Sequence, residues 1–137
     1  MRKIIFSCIG AVAADTGLKG VSINHISFDV HDYTKVRDFY VDLFGVKVWG
    51  ENVKHDRPPQ CHLRFGDTYV TLRNRTANTP RVDHIAVGIK KFDKKVVEAE
   101  LKRRGIPVVQ WDSNDSPNIK DPEGFNVQII GKEYETA

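Results

Sequence analysis

Two histidines, His25 and His84, occupy equivalent positions in two similar segments of the sequence, 59 residues apart. The segments 24–30 and 83–89 both alternate polar and apolar residues, which is the pattern of a half-buried β-strand. Each histidine falls on the polar face of its strand. Imidazole is the commonest metal ligand among side chains, so two of them on one concave wall would begin a divalent metal site. The alternative is that both histidines only satisfy structural hydrogen bonds.

A helix and three further strands follow each of these two strands in the same order. The helical spacing of apolar residues ends before Gly45 in the first copy and before Gly105 in the second, where glycine favours a left-handed helix end. Polar turns then separate the last two strands of each copy. The sequence therefore predicts a β-α-β-β-β unit twice. The predicted strands lie near 21–30, 46–50, 60–65, 68–73, 82–90, 106–110, 117–120 and 125–130.

Composition limits the classes of function. The chain has 137 residues, of which 40% are hydrophobic and 28% charged, as expected for one folded globular domain. The net charge of +3 is small and the basic residues are scattered, so we predict no nucleic-acid partner. The longest apolar stretch, Ile4 to Ala14, is too short for a transmembrane helix, so we predict no membrane partner. Two cysteines, Cys8 and Cys61, do not make a disulfide framework.

The first residues differ in character from the rest. A cationic start precedes a mildly apolar stretch and a small-x-small motif at 11–13, the layout of a secretory signal. The segment is equally consistent with a plain N-terminal extension, so cleavage of residues 1–14 and the choice between a cytoplasmic and an exported protein stay open. The predicted parts of the chain are an extension or export-signal remnant at 1–20, one domain at 21–131 with module one at 21–75 and module two at 82–131, and a tail at 132–137.

The repeated units, the histidine in the first strand of each, and the turn Asp121-Pro122-Glu123-Gly124 before the last strand resemble the vicinal oxygen chelate superfamily. Its members include glyoxalase I, methylmalonyl-CoA epimerase, extradiol dioxygenases and the fosfomycin and bleomycin resistance proteins. The resemblance implies an α+β, glyoxalase-like fold in which both β-α-β-β-β modules form one open, eight-stranded bowl. The positions that point into the bowl correspond here to His25, Thr71, His84 and Gln128.

The resemblance implies a divalent metal, either zinc, manganese, iron or nickel, bound by His25, His84 and Gln128. Most metal-dependent members have glutamate at the position of Gln128, and a neutral amide oxygen would hold the ion less tightly. The alternative is a site that has lost its metal, as in the bleomycin resistance proteins. Thr71 is a poor ligand, so we expect a coordination position open to water or substrate. The missing carboxylates argue against glyoxalase I itself.

Strand parity extends the predicted pocket beyond the metal ligands. The side chains that could line a site for a small polar molecule are Thr71, Tyr69, Arg73, Asn126, Arg64 and Lys120. A surface position is the alternative for each of them, since long charged side chains are mostly exposed. His31 and His55 are interpreted as surface residues, His62 could face either way, and Cys61 is interpreted as a core residue.

The leading hypothesis is a small metal-dependent enzyme with lyase, isomerase or dioxygenase chemistry on an oxygen-rich small molecule. The fold alone does not choose among these reactions. One alternative is a non-catalytic small-molecule binding protein of the bleomycin-resistance type. Another is a structural or partner-binding module. The resemblance also implies a homodimer.

Overall fold

The computed structural model describes residues 17–53 and 57–132. The predicted signal-like segment, His55 and the chain beyond Lys132 lie outside these residues. Within them, no helix is long and apolar enough to cross a membrane. The elements are β1 (Gly20–Val30), α1 (Tyr33–Phe44), β2 (Lys47–Asn52), β3 (Gln60–Phe65), β4 (Thr68–Asn74), β5 (Arg81–Ile89), α2 (Lys94–Arg103), β6 (Gln110–Trp111), β7 (Pro117–Lys120) and β8 (Asn126–Gly131).

All eight strands belong to one mixed sheet in the order β2-β3-β4-β1-β5-β8-β7-β6. The first strands of the two modules, β1 and β5, pair antiparallel at the centre, and each pairs in parallel with the last strand of its own module. The predicted α+β architecture of two β-α-β-β-β modules around one open sheet is confirmed. This topology brings His25 and His84 onto neighbouring strands.

The sixth strand departs from its predicted position. The sequence predicts it near 106–110, whereas the structure has a two-residue strand at Gln110–Trp111. Pro107 has no backbone N–H to donate to a sheet, so it disfavours pairing there. Ile106 and Val108 instead pack against the hydrophobic cluster beneath α2. The edge of the second module is therefore shorter than that of the first.

Both helices begin and end at residues suited to those positions. Asp32 and Asp93 are the N-caps, and their carboxylates accept hydrogen bonds from the backbone N–H groups of Thr34 and Val96, respectively. α1 ends at Gly45, which has a φ of 63° and adopts the left-handed conformation that glycine tolerates best. Each helix covers a separate hydrophobic cluster of its own module.

Burial along β1 does not follow the simple expectation for a half-buried strand. Its polar row, His25, Ser27 and Asp29, is buried because it lines the concave side of the sheet. At the centre of the sheet, Ile23 on β1 remains 43% exposed and Val82 on β5 remains 58% exposed. The buried interior of the bowl is therefore polar, which is unusual unless the polar groups are paired or bind a ligand.

Candidate metal centre

His25 and His84 lie on the same side of the central strand pair. Their Nε2 atoms are 3.1 Å apart, and the two rings meet edge to face. His25 is 7% exposed and His84 is partly buried. The structure thus brings together the two imidazoles that the repeat predicted to converge.

Two β-bulges hold the rings in place. In the pairing of β1 with β5, Asn24 is the extra residue between Ile23 and His25, and Asp83 is the extra residue opposite the Ser27–Phe28 step. A bulge interrupts the alternation of side chains, so a residue and its neighbour can lie close together. This explains why Asn24 and Asp83 can each bond to the histidine that follows them.

These bonds determine which ring nitrogens carry hydrogen. The Nδ1 atom of His84 lies 2.7 Å from Oδ2 of Asp83, and a carboxylate only accepts, so this Nδ1 donates. The Nδ1 atom of His25 lies 2.9 Å from the amide oxygen of Asn24, which also accepts. With both Nδ1 atoms engaged in this way, the two Nε2 atoms face each other across 3.1 Å.

The electrostatic surroundings keep His25 neutral. Burial, followed by repulsion from His84, His62 and Arg73, lowers the pKa of His25 to about 3. The hydrogen bond from His84 holds the pKa of Asp83 below its ordinary value despite partial burial. At neutral pH, the His25 imidazole is therefore free of a second proton and able to bind a cation through Nε2.

Gln128 reaches the same pocket from β8. Its Nε2 atom donates to Oδ2 of Asp112 across 2.5 Å. The other oxygen of Asp112 accepts the backbone N–H groups of Asn114 and Ser116, each at 2.8 Å, which fixes the carboxylate. The Oε1 atom of Gln128 is buried and has no hydrogen-bond partner among the described residues. Leaving such an oxygen unpaired costs about 1–3 kcal/mol.

The donor atoms fit a divalent cation. Nitrogen ligands about 2.1 Å from one ion lie roughly 3.0–3.4 Å apart for right-angled to tetrahedral arrangements, and the two Nε2 atoms are 3.1 Å apart. The unpaired amide oxygen of Gln128 belongs to a residue that lines the same pocket, and it is the third candidate donor. Within 17–53 and 57–132, no group of three or more His, Cys, Asp or Glu side chains could hold an ion.

The pocket around these donors has a volume of about 430 Å³ and adjoins a second pocket of about 680 Å³. Tyr69 and Thr71 line the first, and Asn126 lines the second. Four residues line both pockets and therefore connect them: Arg73, His84, Asp112 and Gln128.

Two predicted pocket residues lie elsewhere. The guanidinium of Arg64 sits 4.3 Å from the ring centroid of Trp49 and does not line either of these pockets. Lys120 bonds to Asn126 and lines a third cavity of about 370 Å³. This cavity shares Arg81, Asp83, His84 and Asn126 with the 680 Å³ pocket.

Two rings, those of Tyr69 and His62, pack beside His25. The Tyr69 ring stacks on His25 with centroids 4.7 Å apart, and His62 meets Tyr69 edge to face at 5.2 Å. His62 therefore faces the pocket, one of the two orientations that the sequence left open. Its Nδ1 atom is 3.0 Å from the hydroxyl oxygen of Thr71, and burial lowers its pKa.

No family model and no curated protein matches this chain. Solved structures do match this chain. Methylmalonyl-CoA epimerase from Mycobacterium tuberculosis is 15% identical, with a TM-score of 0.66, over 88% of this chain and 93% of that one. A Streptomyces coelicolor methylmalonyl-CoA epimerase in complex with 2-nitronate-propionyl-CoA is 20% identical, with a TM-score of 0.66, over 87% of this chain and 100% of that one.

An extradiol ring-cleaving dioxygenase from B. fuscum is 21% identical, with a TM-score of 0.68, over 88% of this chain and 35% of that one. The chain has the vicinal oxygen chelate fold. The resemblance found in the sequence is confirmed at the level of the fold.

Three residues that bond to His25, His84 and Gln128 were not among the predicted site residues: Asn24, Asp83 and Asp112. The first two precede His25 and His84 at equivalent positions, and that shared placement was the available signal. Strict alternation would have turned them away from the histidines. Asp112 belongs to the segment after β6, and nothing in the sequence pattern links it to Gln128.

Proposed function

We propose that the chain is a small metal-dependent enzyme of the vicinal oxygen chelate type, in which His25, His84 and Gln128 hold one divalent ion beside a small oxygen-rich substrate. When bound, such an ion polarises a substrate oxygen and stabilises negative charge that develops on it. Lyase, isomerase and dioxygenase reactions are the proposed classes. The structurally similar proteins include an epimerase and a dioxygenase, which supports this range.

The observation that carries the proposal is the pair of facing Nε2 atoms. Asn24 and Asp83 accept from the two Nδ1 atoms, so the Nε2 atoms face each other at 3.1 Å, where a single proton or a single cation can join them. When neither Nε2 carries hydrogen, both lone pairs can bind one cation at this position. The buried, unpaired oxygen of Gln128 in the same pocket is a second group that needs a cation or a donor.

The surrounding residues position these donors. Arg81 donates to Asp29 at 3.0 Å and to Asp83 at 2.7 Å, so it holds the carboxylate that orients His84. Partners of this kind fix ring orientation and raise ligand basicity. On the other side, Asp112 takes the amide N–H of Gln128 and leaves its oxygen available.

Thr71 supports an open coordination position. Its hydroxyl lies within hydrogen-bonding distance of His62, so it is already engaged by a neighbouring side chain. A donor set of three protein atoms leaves room for substrate oxygens, which is the arrangement of catalytic rather than structural sites.

One observation favours a second candidate, a non-catalytic small-molecule binding protein. All three proposed ligands are neutral, so they hold a divalent ion less tightly than a set containing a carboxylate. On this hypothesis, the pocket binds its ligand directly through polar side chains.

Isothermal titration of metal-stripped, untagged protein with zinc, manganese, iron(II) and nickel tests the proposal. We expect at least one ion to bind at a single site per chain. His84→Ala should abolish that binding, whereas the matched control His31→Ala, which removes an exposed histidine outside the pocket, should leave it unchanged. If the parent protein binds none of the four ions, the metal-dependent function is wrong and the binding-protein function replaces it.

A further inference from the structure

Arg73 is a cation inside the pocket that the proposed metal site does not use. It extends from β4, is partly buried, and lines both connected pockets. Its Nε donates to Oε1 of Gln60 across 3.1 Å, which orients the guanidinium. Within residues 17–53 and 57–132, Arg73 forms no ion pair, and its terminal amino groups make no hydrogen bond.

The carboxylates around Arg73 are engaged elsewhere. Four described carboxylates line the two pockets, and each has a side-chain partner of its own. The four pairs are Asp29–Arg81, Asp83–Arg81, Glu51–Arg37 and Asp112–Gln128. None of the four therefore forms an ion pair with Arg73, although the charges of Asp83 and Asp29 attract it from a longer distance.

The electrostatics agree with this geometry. Burial and then repulsion from Arg75 lower the pKa of Arg73, against the attraction of Asp83 and Asp29. The charge of Arg73 in turn lowers the pKa of both His25 and His62. Arg73 thus lies within electrostatic reach of the histidine pair. A partly buried cation without a carboxylate partner is stabilised when an anion binds to it.

We propose that Arg73 forms an oxyanion subsite beside the proposed metal centre, and that the substrate carries a carboxylate or phosphate group bound there. The planar guanidinium offers paired N–H groups, which match the two oxygens of such a group. The assignment to the substrate rests on the proposed function. Binding of an oxyanion by Arg73 itself requires no metal.

The test compares glycolate with glycolamide, a pair of similar shape of which only glycolate carries the charge, and adds inorganic phosphate as a third probe. Binding to metal-stripped protein is followed by ¹⁵N nuclear magnetic resonance, including the Nε–H signal of Arg73. Charge-assisted hydrogen bonds from arginine predict that wild-type protein binds glycolate about tenfold or more tightly than glycolamide. The tighter of glycolate and phosphate identifies the preferred oxyanion.

Variants decide whether Arg73 is responsible. Arg73→Gln should bring the glycolate-to-glycolamide ratio close to one, and Arg73→Lys should retain part of it. The control Arg103→Gln removes the same charge from the exposed surface of α2 and should keep the wild-type ratio. An unchanged ratio in Arg73→Gln, or no preference for either oxyanion in the wild type, overturns the proposal.

Titration of the same samples with zinc, manganese, iron(II) and nickel separates this proposal from the proposed function. Arg73→Gln should still bind any ion that the wild type binds, because Arg73 is not a proposed ligand. If the wild type binds no metal but keeps an Arg73-dependent preference for glycolate, the oxyanion subsite is supported and the metal-dependent function is wrong. If an ion binds and the preference is absent, the reverse holds.

Discussion

The low pKa of His25 predicts that the metal-free protein loses stability in acid. The folded state holds this pKa at about 3, mainly through burial and the nearby His84, whereas an unfolded histidine titrates near about 6.5. Between these two values, the unfolded chain binds a proton that the folded chain does not. Stability from this group is therefore fully present above about pH 6.5 and falls as the pH is lowered toward 3.

The size of the effect follows from the two pKa values. Linkage gives a loss of about 2 kcal/mol from His25 alone between about pH 8 and pH 5. Urea denaturation of chelator-treated protein at these two pH values measures it. With an m-value of about 1–3 kcal/mol/M, the midpoint should move by roughly 1 M.

Two variants isolate the contribution of His25. His25→Gln removes the titrating group, so its stability should change by about 2 kcal/mol less between the two pH values than that of the wild type. His31→Gln removes an exposed histidine and should retain the wild-type pH dependence. If His25→Gln loses as much stability in acid as the wild type, His25 is not held neutral in the folded protein and the argument from its environment is wrong.

Three further predictions concern the ligands, their support and the assembly. Gln128→Glu should tighten metal binding in calorimetric titration, because an anionic oxygen replaces a neutral one. The same change should destabilise the metal-free protein, because the new carboxylate faces Asp112. Gln128→Leu should weaken metal binding. Asp83→Asn should lower metal affinity about 10–100-fold by loosening His84, and equal affinities in titration would exclude that role. The chain should sediment as a homodimer, whereas a single species at the 15.6 kDa chain mass would contradict the prediction.

The structural features that follow from repeating patterns in the sequence could be predicted. Alternation places a side chain on one face of a strand without knowledge of the rest of the chain, and the repeat relates β1 to β5. Those two rules were enough to put His25 and His84 on one wall. The helical spacing of apolar residues likewise predicted Gly45 as the end of α1, where glycine adopts the left-handed conformation.

The features that depend on local irregularity or on distant loops were not predictable. The bulges at Asn24 and Asp83 arise from the register between two strands, which neither strand encodes by itself. The contact between Gln128 and Asp112 depends on the path of the chain after β6. β6 has only two residues, so regular strand pairing does not define that path. The partial exposure of Ile23 depends on which other elements cover its side of the sheet, and the alternation of one strand does not contain that information.

The central pairing of β1 with β5 gives the proposed site a thermodynamic role. One donor, His25, comes from the first module, and the other two, His84 and Gln128, come from the second. An ion held by all three would bind only when the modules are docked, so its binding free energy would add to the cohesion between the two halves of the chain. At a free metal concentration one hundred times the dissociation constant, that addition is about 2.7 kcal/mol. The ion would then link the two modules where β1 pairs with β5. Removal of the ion by a chelator would weaken the contact between the modules before it affected either helix.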